Sequence, residues 1–200
     1  MHIAICIVGF RNAEEVATCV GALAQCGYPS FDIIICENGG PEAHTALSAI
    51  LPDRLPGGQG VSALLAPGNL GYAGGVNACI RASEGADAWW VVNPDTRPEP
   101  AALGALIERL SRGDCEAVGG ILYHPDGHIQ AYGGRWRSWL ARAESIGHGR
   151  LLSDPIDVRA VEAEIGEKTL ELFGDAEHRV PVGRGRRRRL TEPGEVDRDD

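Results

Sequence analysis

The strongest constraint on the fold comes from Trp89–Thr96, WWVVNPDT, in which an apolar run ends abruptly in a polar turn. Pro94 has no backbone N–H to donate to a strand ladder, so the predicted strand stops there. Asp95 is therefore predicted at the carboxyl edge of a sheet, where open α/β sheets bind ligands. A carboxylate there suits a divalent cation that bridges diphosphate oxygens. The alternative is an aspartate that caps a helix beginning near Glu99.

The composition restricts the class of protein. A chain of 200 residues can bury one substantial core, or one domain with an appendage. No apolar run approaches the roughly 18 residues that a bilayer requires, and no signal-like segment opens the chain, so we expect a cytoplasmic protein. The net charge of −9 argues against a nucleic-acid partner. The cysteines lack Cys-x-x-Cys spacing and are expected as small buried hydrophobes in a reducing compartment: Cys6, Cys19, Cys26, Cys36, Cys79 and Cys115.

Apolar runs alternate with segments of helical periodicity along the first half of the chain. Besides 89–92, the run at 3–8 is predicted to be a buried strand, and the runs at 31–36 and 61–66 are predicted to be further strands, of a mostly parallel sheet. A helix is predicted to begin at Asn12 as its N-cap residue, with Glu15 in the capping-box position. Further helices are predicted at 41–50, directly after residues 67–77 as far as about residue 83, and at 101–110. A strand at 116–123 and a returning strand at 128–132 follow. The pattern predicts an α/β fold.

Two of the strand-to-helix turns carry polar candidates. The first, Gly9–Asn12, lacks the Gly-x-Gly-x-x-Gly spacing that a dinucleotide-binding turn requires, which weighs against NAD or FAD. The second begins with Glu37, at the carboxyl end of the second predicted strand. Glu37 could accept hydrogen bonds from a ribose or a base. The alternative is a solvated turn residue before an Asn-Gly bend.

The third turn is rich in glycine. Residues 67–77 read PGNLGYAGGVN and lead from a predicted strand into a helix. Closely spaced glycines let a ligand approach the backbone, and free amides at a helix start favour phosphate. The same glycines could instead serve tight packing of the helix on the sheet, so both readings stay open.

Several of these motifs together resemble a known family. Asn69–Asn77 followed by Asn93–Thr96 resembles the inverting family-two glycosyltransferases, especially their rhamnosyltransferase-like branch. Residues 7–12, 36–39 and 123–130, the last before a Gly-Gly pair at 133–134, fit the same order. The resemblance implies a GT-A (Rossmann-like), mostly parallel sheet flanked by helices, with a nucleotide-sugar-binding domain over residues 1–150. It also implies inverting transfer from a nucleotide sugar, such as dTDP-rhamnose, to a glycan acceptor in cell-surface polysaccharide synthesis.

The resemblance also implies residue roles. Glu37 would contact the base or ribose, Asn69–Asn77 would line the nucleotide and sugar pocket, and Asp95 would ligate Mg²⁺ or Mn²⁺. Most relatives carry Asp-x-Asp at the metal turn, whereas Asn93 here replaces the first acid, so looser metal binding is expected. The candidate nucleotide-sugar-binding residues are Gly9, Phe10, Glu37, Asn38, Asn69, Gly71, Tyr72, Gly74, Gly75, Asn77 and Asn93.

The C-terminal part, residues 151–200, differs in character. It is strongly charged, and we predict a shortened or atypical segment in place of the family's acceptor half, which would be truncated or atypical. The arginine run at 184–189 stands beside an acidic close, which favours neutralisation within the chain over nucleic acid or membrane. The catalytic base stays unidentified among Asp154, Asp157, Glu162 and Glu164. The alternative function is therefore a catalytically incomplete nucleotide-sugar-binding protein.

A few features remain open at this stage. His124 and His128 flank a predicted turn and are expected at the surface. Trp136 and Trp139 could form a floor for a sugar acceptor or pack under a loop. Peripheral association with the inner face of the membrane and a homodimer are also compatible with the sequence.

Overall fold

The computed structural model describes residues 1–137 and 142–154, with only the backbone described at 135–137 and 142–144. Strands and helices alternate through the first eight elements, and two antiparallel strand pairs follow. The elements are β1 (Ile3–Gly9), α1 (Ala13–Leu23), β2 (Phe31–Glu37), α2 (Pro41–Ile50), β3 (Val61–Leu65), α3 (Gly71–Ala82), β4 (Ala88–Val92), α4 (Ala102–Ser111), β5 (Leu122–Tyr123), β6 (Ile129–Ala131), β7 (Gly133–Arg137) and β8 (Arg142–Ile146).

The first four strands form one parallel sheet in the order β3-β2-β1-β4. Gly9 at the end of β1 lies opposite Glu37, which in turn lies opposite Leu65. On the other side of β1, Val92 lies opposite Ile7. The carboxyl ends of all four strands therefore meet at one edge. The chain order reverses between β1 and β4, and such a switch point is where open α/β sheets bind ligands.

Helices cover both faces of this sheet. Odd-numbered β1 and β2 side chains, such as Ile5 and Ile33, pack with α1, α2 and α4 through Leu23, Leu47 and Leu103. The intervening side chains face α3 and form a second core, which contains Ala4, Cys6, Ile34, Cys36, Ala66 and Cys79. Because successive strand residues point to opposite faces, a strand buried on both sides must be apolar throughout, as β1 is. The predicted α/β, GT-A-like fold is confirmed.

One local prediction is wrong, and another is confirmed only in part. The strand predicted at 116–123 exists only as Leu122–Tyr123. Gly119 and Gly120 interrupt it, because glycine offers no side chain to pack in a strand, and the exposed Ile121 follows them. The returning strand is present as β6, and its first residue, Ile129, is buried.

The prediction for the start of α1 is confirmed in position, because Asn12 is the N-cap residue of that helix. Asn12 makes no side-chain cap hydrogen bond, however. Its Oδ1 accepts instead from the Phe10 N–H at 2.9 Å, and its Nδ2 donates to Glu15 Oε2 at 2.8 Å. The side chain of Asn12 therefore closes the loop after β1 and holds Phe10 and Arg11 in place.

Two further predictions concern the burial of the cysteines and the absence of a membrane-spanning segment. All the cysteines are free thiols; four are buried, while Cys26 and Cys115 are half-buried. Burial raises the pKa of the Cys19 and Cys36 thiols to about 11, so they are protonated at neutral pH. None of the described helices is long and apolar enough to cross a membrane. Most of the predicted charged segment, from residue 155 onward, lies outside the described residues.

Candidate functional site

The turns after β1, β2 and β4 and the start of α3 line the carboxyl edge of the sheet. Gly9 ends β1, Glu37 ends β2 beside it, and Asn93 follows β4 on the other side of β1. The edge therefore brings together residues more than 80 positions apart in the chain. Most of the candidate binding residues lie on these segments.

Glu37 is fully buried, with 0% of its surface exposed. Its Oε1 accepts from the backbone N–H of Arg11 at 3.0 Å and from that of Gly39 at 2.7 Å. Its Oε2 is buried without a hydrogen-bond partner, the one such side-chain atom in the described part of the chain. The alternative of a solvated turn residue is therefore wrong. An unpaired buried acceptor costs about 1–3 kcal/mol, which makes Oε2 a candidate acceptor for a ligand N–H or O–H.

Asn38 fixes the glycine-rich turn to the end of β2. Its Oδ1 accepts from the Leu70 N–H at 3.3 Å, and its Nδ2 donates to the Gly71 carbonyl at 3.0 Å. Asn69 Oδ1 accepts from the Gly71 N–H at 2.9 Å, and Gly71 has a left-handed φ of 68°. Both polar ends of Asn38 are thus engaged within the protein. Its predicted part in sugar binding would be to position the turn.

Two of the glycines have packing reasons of their own. A Cβ atom placed on Gly75 would lie 2.8 Å from Val8 Cγ1 and 3.2 Å from Asn38 Nδ2. A Cβ atom on Gly74 would lie 2.7 Å from Leu70 Cβ. Close approach of α3 to β1 and to its own turn therefore requires both glycines. Their contact with a ligand stays a prediction, as does that of the half-buried Asn77.

Tyr72 joins the glycine-rich turn to the turn after β4. Its hydroxyl donates to Asn93 Oδ1 at 2.7 Å, and burial raises the pKa of the hydroxyl, with a smaller contribution from the charge on Asp95. Thr96 closes the β4 turn by donating from its N–H and its hydroxyl to the Asn93 carbonyl, at 3.1 and 2.7 Å. The turn that carries Asp95 is therefore held from both sides.

Asp95 is exposed at this edge and does not cap a helix. α4 begins at Ala102, seven residues further on, and its N-cap residue, Ala101, forms no side-chain cap hydrogen bond. The capping alternative is therefore wrong, because Asp95 lies seven residues before the first residue of the helix. Its carboxylate is free to meet a ligand at the edge of the sheet.

The donor set around Asp95 fits a cation that is shared with a nucleotide. Among the described residues no group of three or more His, Cys, Asp or Glu side chains could hold a metal ion. Mg²⁺ is usually held by one or two carboxylates together with waters and substrate phosphates, rather than by an all-protein cage. The exposed carboxylate of Asp95 matches the first of these two arrangements. A cation here would depend on the diphosphate for most of its ligands.

The structure adds one residue that the sequence did not indicate. Arg11 has a left-handed φ of 56°, the one positive value for a non-glycine residue in the described chain. Its Nε donates to the Gly39 carbonyl at 3.3 Å, and its guanidinium carbon lies 5.4 Å from the centre of the Phe10 ring, which is 52% exposed. Nothing in the sequence marks an arginine that adopts this conformation, so it could not have been found there.

The remaining candidates lie on segments after α4 or outside the described residues. His124 and His128 are exposed, as predicted, and His128 Nδ1 lies 3.1 Å from Asp126 Oδ1. The side chain of Trp136 and the whole of Trp139 lie outside the described residues.

A four-stranded parallel sheet with helices on both faces and a polar carboxyl edge defines a GT-A-like domain. The chain matches the family model described as Glycosyl transferase family 2 over residues 4–191, and it belongs to that family. The match extends beyond residue 150 into the segment that we predicted to be atypical. No curated protein matches the chain.

A solved structure shows the same fold at low sequence identity. The mannosyltransferase PcManGT from Pyrobaculum calidifontis, in complex with GDP-Man and Mn2+, is similar with a TM-score of 0.52 and 14% identity, over 62% of this chain and 36% of that one. S. aureus TarS 1-349 in complex with UDP-GlcNAc has a TM-score of 0.48 and 11% identity, over 64% and 38%. The chain thus spans under two-fifths of the length of either protein.

Proposed function

We propose that this chain binds a nucleoside-diphosphate sugar at the carboxyl edge of its sheet and transfers the sugar, with inversion, to a glycan hydroxyl. The observation that carries the proposal is the buried, unpartnered Oε2 of Glu37 at the same edge as the exposed Asp95. One end of the edge offers an acceptor for a base or ribose. The other offers a carboxylate for a diphosphate-bound cation.

Each part of the edge then has a role in transfer. Glu37 receives the base or ribose, the turn at Asn69–Asn77 lines the nucleotide and sugar pocket, and Asp95 orients the diphosphate. A cation bound there would stabilise the negative charge that develops on the departing diphosphate. Inversion also needs a base that accepts the acceptor's proton. Of the candidate bases only Asp154 is described, and its carboxylate closes a turn by accepting from the Leu151 N–H at 3.2 Å.

The donor is proposed from the sequence resemblance. The rhamnosyltransferase-like motifs support a dTDP-rhamnose donor and a role in cell-surface polysaccharide synthesis. The mannosyltransferase complex with GDP-Man and Mn2+ is similar in fold, which supports a sugar nucleotide and a divalent cation as the ligand class. We propose a cytoplasmic site of action, where sugar nucleotides would reach the open edge.

Calorimetric titration with nucleoside diphosphates, in the presence and absence of Mn²⁺, tests the proposal. If Asp95 anchors the cation, Asp95→Asn should weaken the Mn²⁺-dependent binding tenfold or more, about 1.4 kcal/mol, and leave the metal-independent part unchanged. Asp53→Asn is the matched control, because Asp53 precedes β3 at the opposite edge of the sheet. Equal Mn²⁺ dependence in parent and Asp95→Asn would remove Asp95 from the site.

Transfer and binding are tested separately. The alternative function, binding of a nucleotide sugar without transfer, predicts donor affinity but no glycan product. Enzymes of this kind turn over at about 1 per second or more, so product formation at that rate with a glycan acceptor distinguishes the two. Absence of nucleotide binding would refute both.

A further inference from the structure

β6 lies in the middle of a small antiparallel layer. On one side it pairs with β5, and there the His128 carbonyl accepts from the His124 N–H at 2.8 Å. On the other side Ile129 donates to the Arg150 carbonyl at 2.8 Å and accepts from the Gly149 N–H at 2.9 Å. No further strand pairs with β5 in the described part of the chain. The outer edge of β5 is therefore open there.

This open edge carries an apolar run. Ile121, Leu122 and Tyr123 follow one another and are 39%, 43% and 39% exposed. Successive residues of a strand point to opposite faces, so an uninterrupted apolar run is typical of a strand that is covered on both faces. Edge strands usually carry charged residues or proline, which discourage further pairing. The run at 121–123 therefore has the composition of an inner strand in the place of an edge strand.

The size of the exposed surface indicates what could cover it. Three side chains that are each about 40% exposed leave roughly 250 Å² of apolar surface, whereas a stable dimer needs about 800 Å² from each partner. A second copy of the chain is therefore a poor occupant. A single added strand pairs through its backbone and packs only alternate side chains, so it needs no larger surface.

The chain itself contains a segment with the matching pattern. Residues 161–165 read VEAEI, in which apolar and acidic residues alternate with the period of two that is typical of a half-exposed strand. The acidic side chains would face water, and charged side chains of this kind protect the outer edge of a sheet from further pairing. The match to the family model continues to residue 191, so this segment belongs to the matched domain.

The connection to this segment is long enough. The chain lies at the other edge of the layer where Leu151 pairs with His128, and it is described as far as Asp154. A strand added beside β5 would lie three strand spacings from that edge, about 15 Å. The chain from Asp154 to residue 161 can span up to roughly 25 Å. Residue 161 can therefore reach the open edge of β5.

We propose that residues 161–165 add to the open edge of β5 as a further strand and cover the apolar run at 121–123. This inference holds whether or not the chain transfers a sugar. The added strand would attach the C-terminal segment to the side of the domain that carries the candidate site. The reason is that the Tyr123 hydroxyl donates to Glu99 Oε1 at 2.5 Å, in the loop between β4 and α4.

Hydrogen exchange of the full chain, followed by mass spectrometry of its peptides, tests the proposal. In the parent, the peptides that contain residues 121–123 and 161–165 should both exchange more slowly than in the unfolded chain. Ala163→Pro removes a backbone N–H from the middle of the proposed strand and should speed the exchange of both peptides on the order of tenfold, about the value of one hydrogen bond. Ala163→Glu keeps the N–H but places a charge on the apolar face, and it should act in the same direction.

Ala176→Pro is the matched control, because it makes the same substitution outside the proposed strand. It should leave the exchange of both peptides as in the parent. Thermal unfolding of each variant verifies that the domain remains folded.

Four results would overturn the inference. One is parent-like exchange of residues 121–123 in Ala163→Pro, and another is an unprotected 161–165 peptide in the parent. An equal effect of Ala163→Pro and Ala176→Pro would show that residues 161–165 have no special part in the protection of β5. Protection of residues 121–123 that rises with protein concentration would show that a second copy covers the edge instead.

Discussion

Replacing Glu37 by alanine should destabilise the fold, because its carboxyl group connects the loop after β1 to the turn after β2. The change leaves the Arg11 and Gly39 N–H groups without the acceptor that they share at 3.0 and 2.7 Å. Both hydrogen bonds are partly buried, and a donor that is left unpaired away from water costs about 1–3 kcal/mol. Removal of the unpartnered Oε2 offsets part of this cost. The net loss should be about 2 kcal/mol, which lowers the melting temperature by about 4–8 °C for a domain of this size.

Glu37→Gln is the matched variant. Its carbonyl oxygen can still accept from both backbone N–H groups, so its stability should lie within about 1 kcal/mol of the parent. The amide nitrogen, however, replaces an acceptor by a donor at the position of Oε2. The Gln variant should therefore stay folded and bind UDP on the order of tenfold more weakly than the parent. The two variants separate the structural role of Oε1 from the binding role of Oε2.

Urea unfolding measures the stability part. The unfolding midpoint of Glu37→Ala should fall with an unchanged m value, because the surface exposed on unfolding hardly changes. Equal midpoints for the Ala and Gln variants would refute the reasoning, since water would then satisfy the Arg11 and Gly39 N–H groups as well as the carboxylate does. Parent-like UDP affinity in Glu37→Gln would remove Oε2 from the binding site.

Two further predictions concern the packing and hydrogen bonding around α3. Gly75→Ala should lower the free energy of unfolding by about 1–3 kcal/mol, because the new Cβ would lie 2.8 Å from Val8 Cγ1. Gly104→Ala in α4, where nothing lies within 4 Å of the new Cβ, should raise it by up to about 1 kcal/mol through helix propensity. Urea unfolding of the two variants measures both changes. Tyr72→Phe removes the hydrogen bond to Asn93 and should lower the free energy of unfolding by about 0.5–1.5 kcal/mol. Because the pKa of Tyr72 is raised in the folded protein, this difference in stability between parent and variant should be full below the ordinary tyrosine pKa near 10 and decline as pH rises through the raised pKa. Equal stabilities at pH 8 would contradict the second prediction.

Much of the fold could be predicted from the sequence because its signals are local. A run such as Ile3–Val8 can only be a strand buried on both faces, and the helix at Pro41–Ile50 was predicted with its observed bounds. Pro94 stops β4 for the covalent reason that it lacks an N–H. The weaker signal at 116–121 failed because apolar content alone cannot hold a strand through two glycines.

The candidate site divides differently. The sequence alone determined that Glu37 ends a strand and that Asp95 lies in the turn after one, since strand ends and turns depend on local residue patterns. Only the tertiary structure decided that Glu37 is buried with one oxygen unpaired, that Asn38 holds a turn over 30 residues away, and that Arg11 adopts a left-handed conformation beside both. These properties depend on the register of β1 with β2 and on the seating of α3, which are set by contacts between distant residues. A pattern along the chain does not show which polar atoms such contacts will satisfy and which one they will leave without a partner.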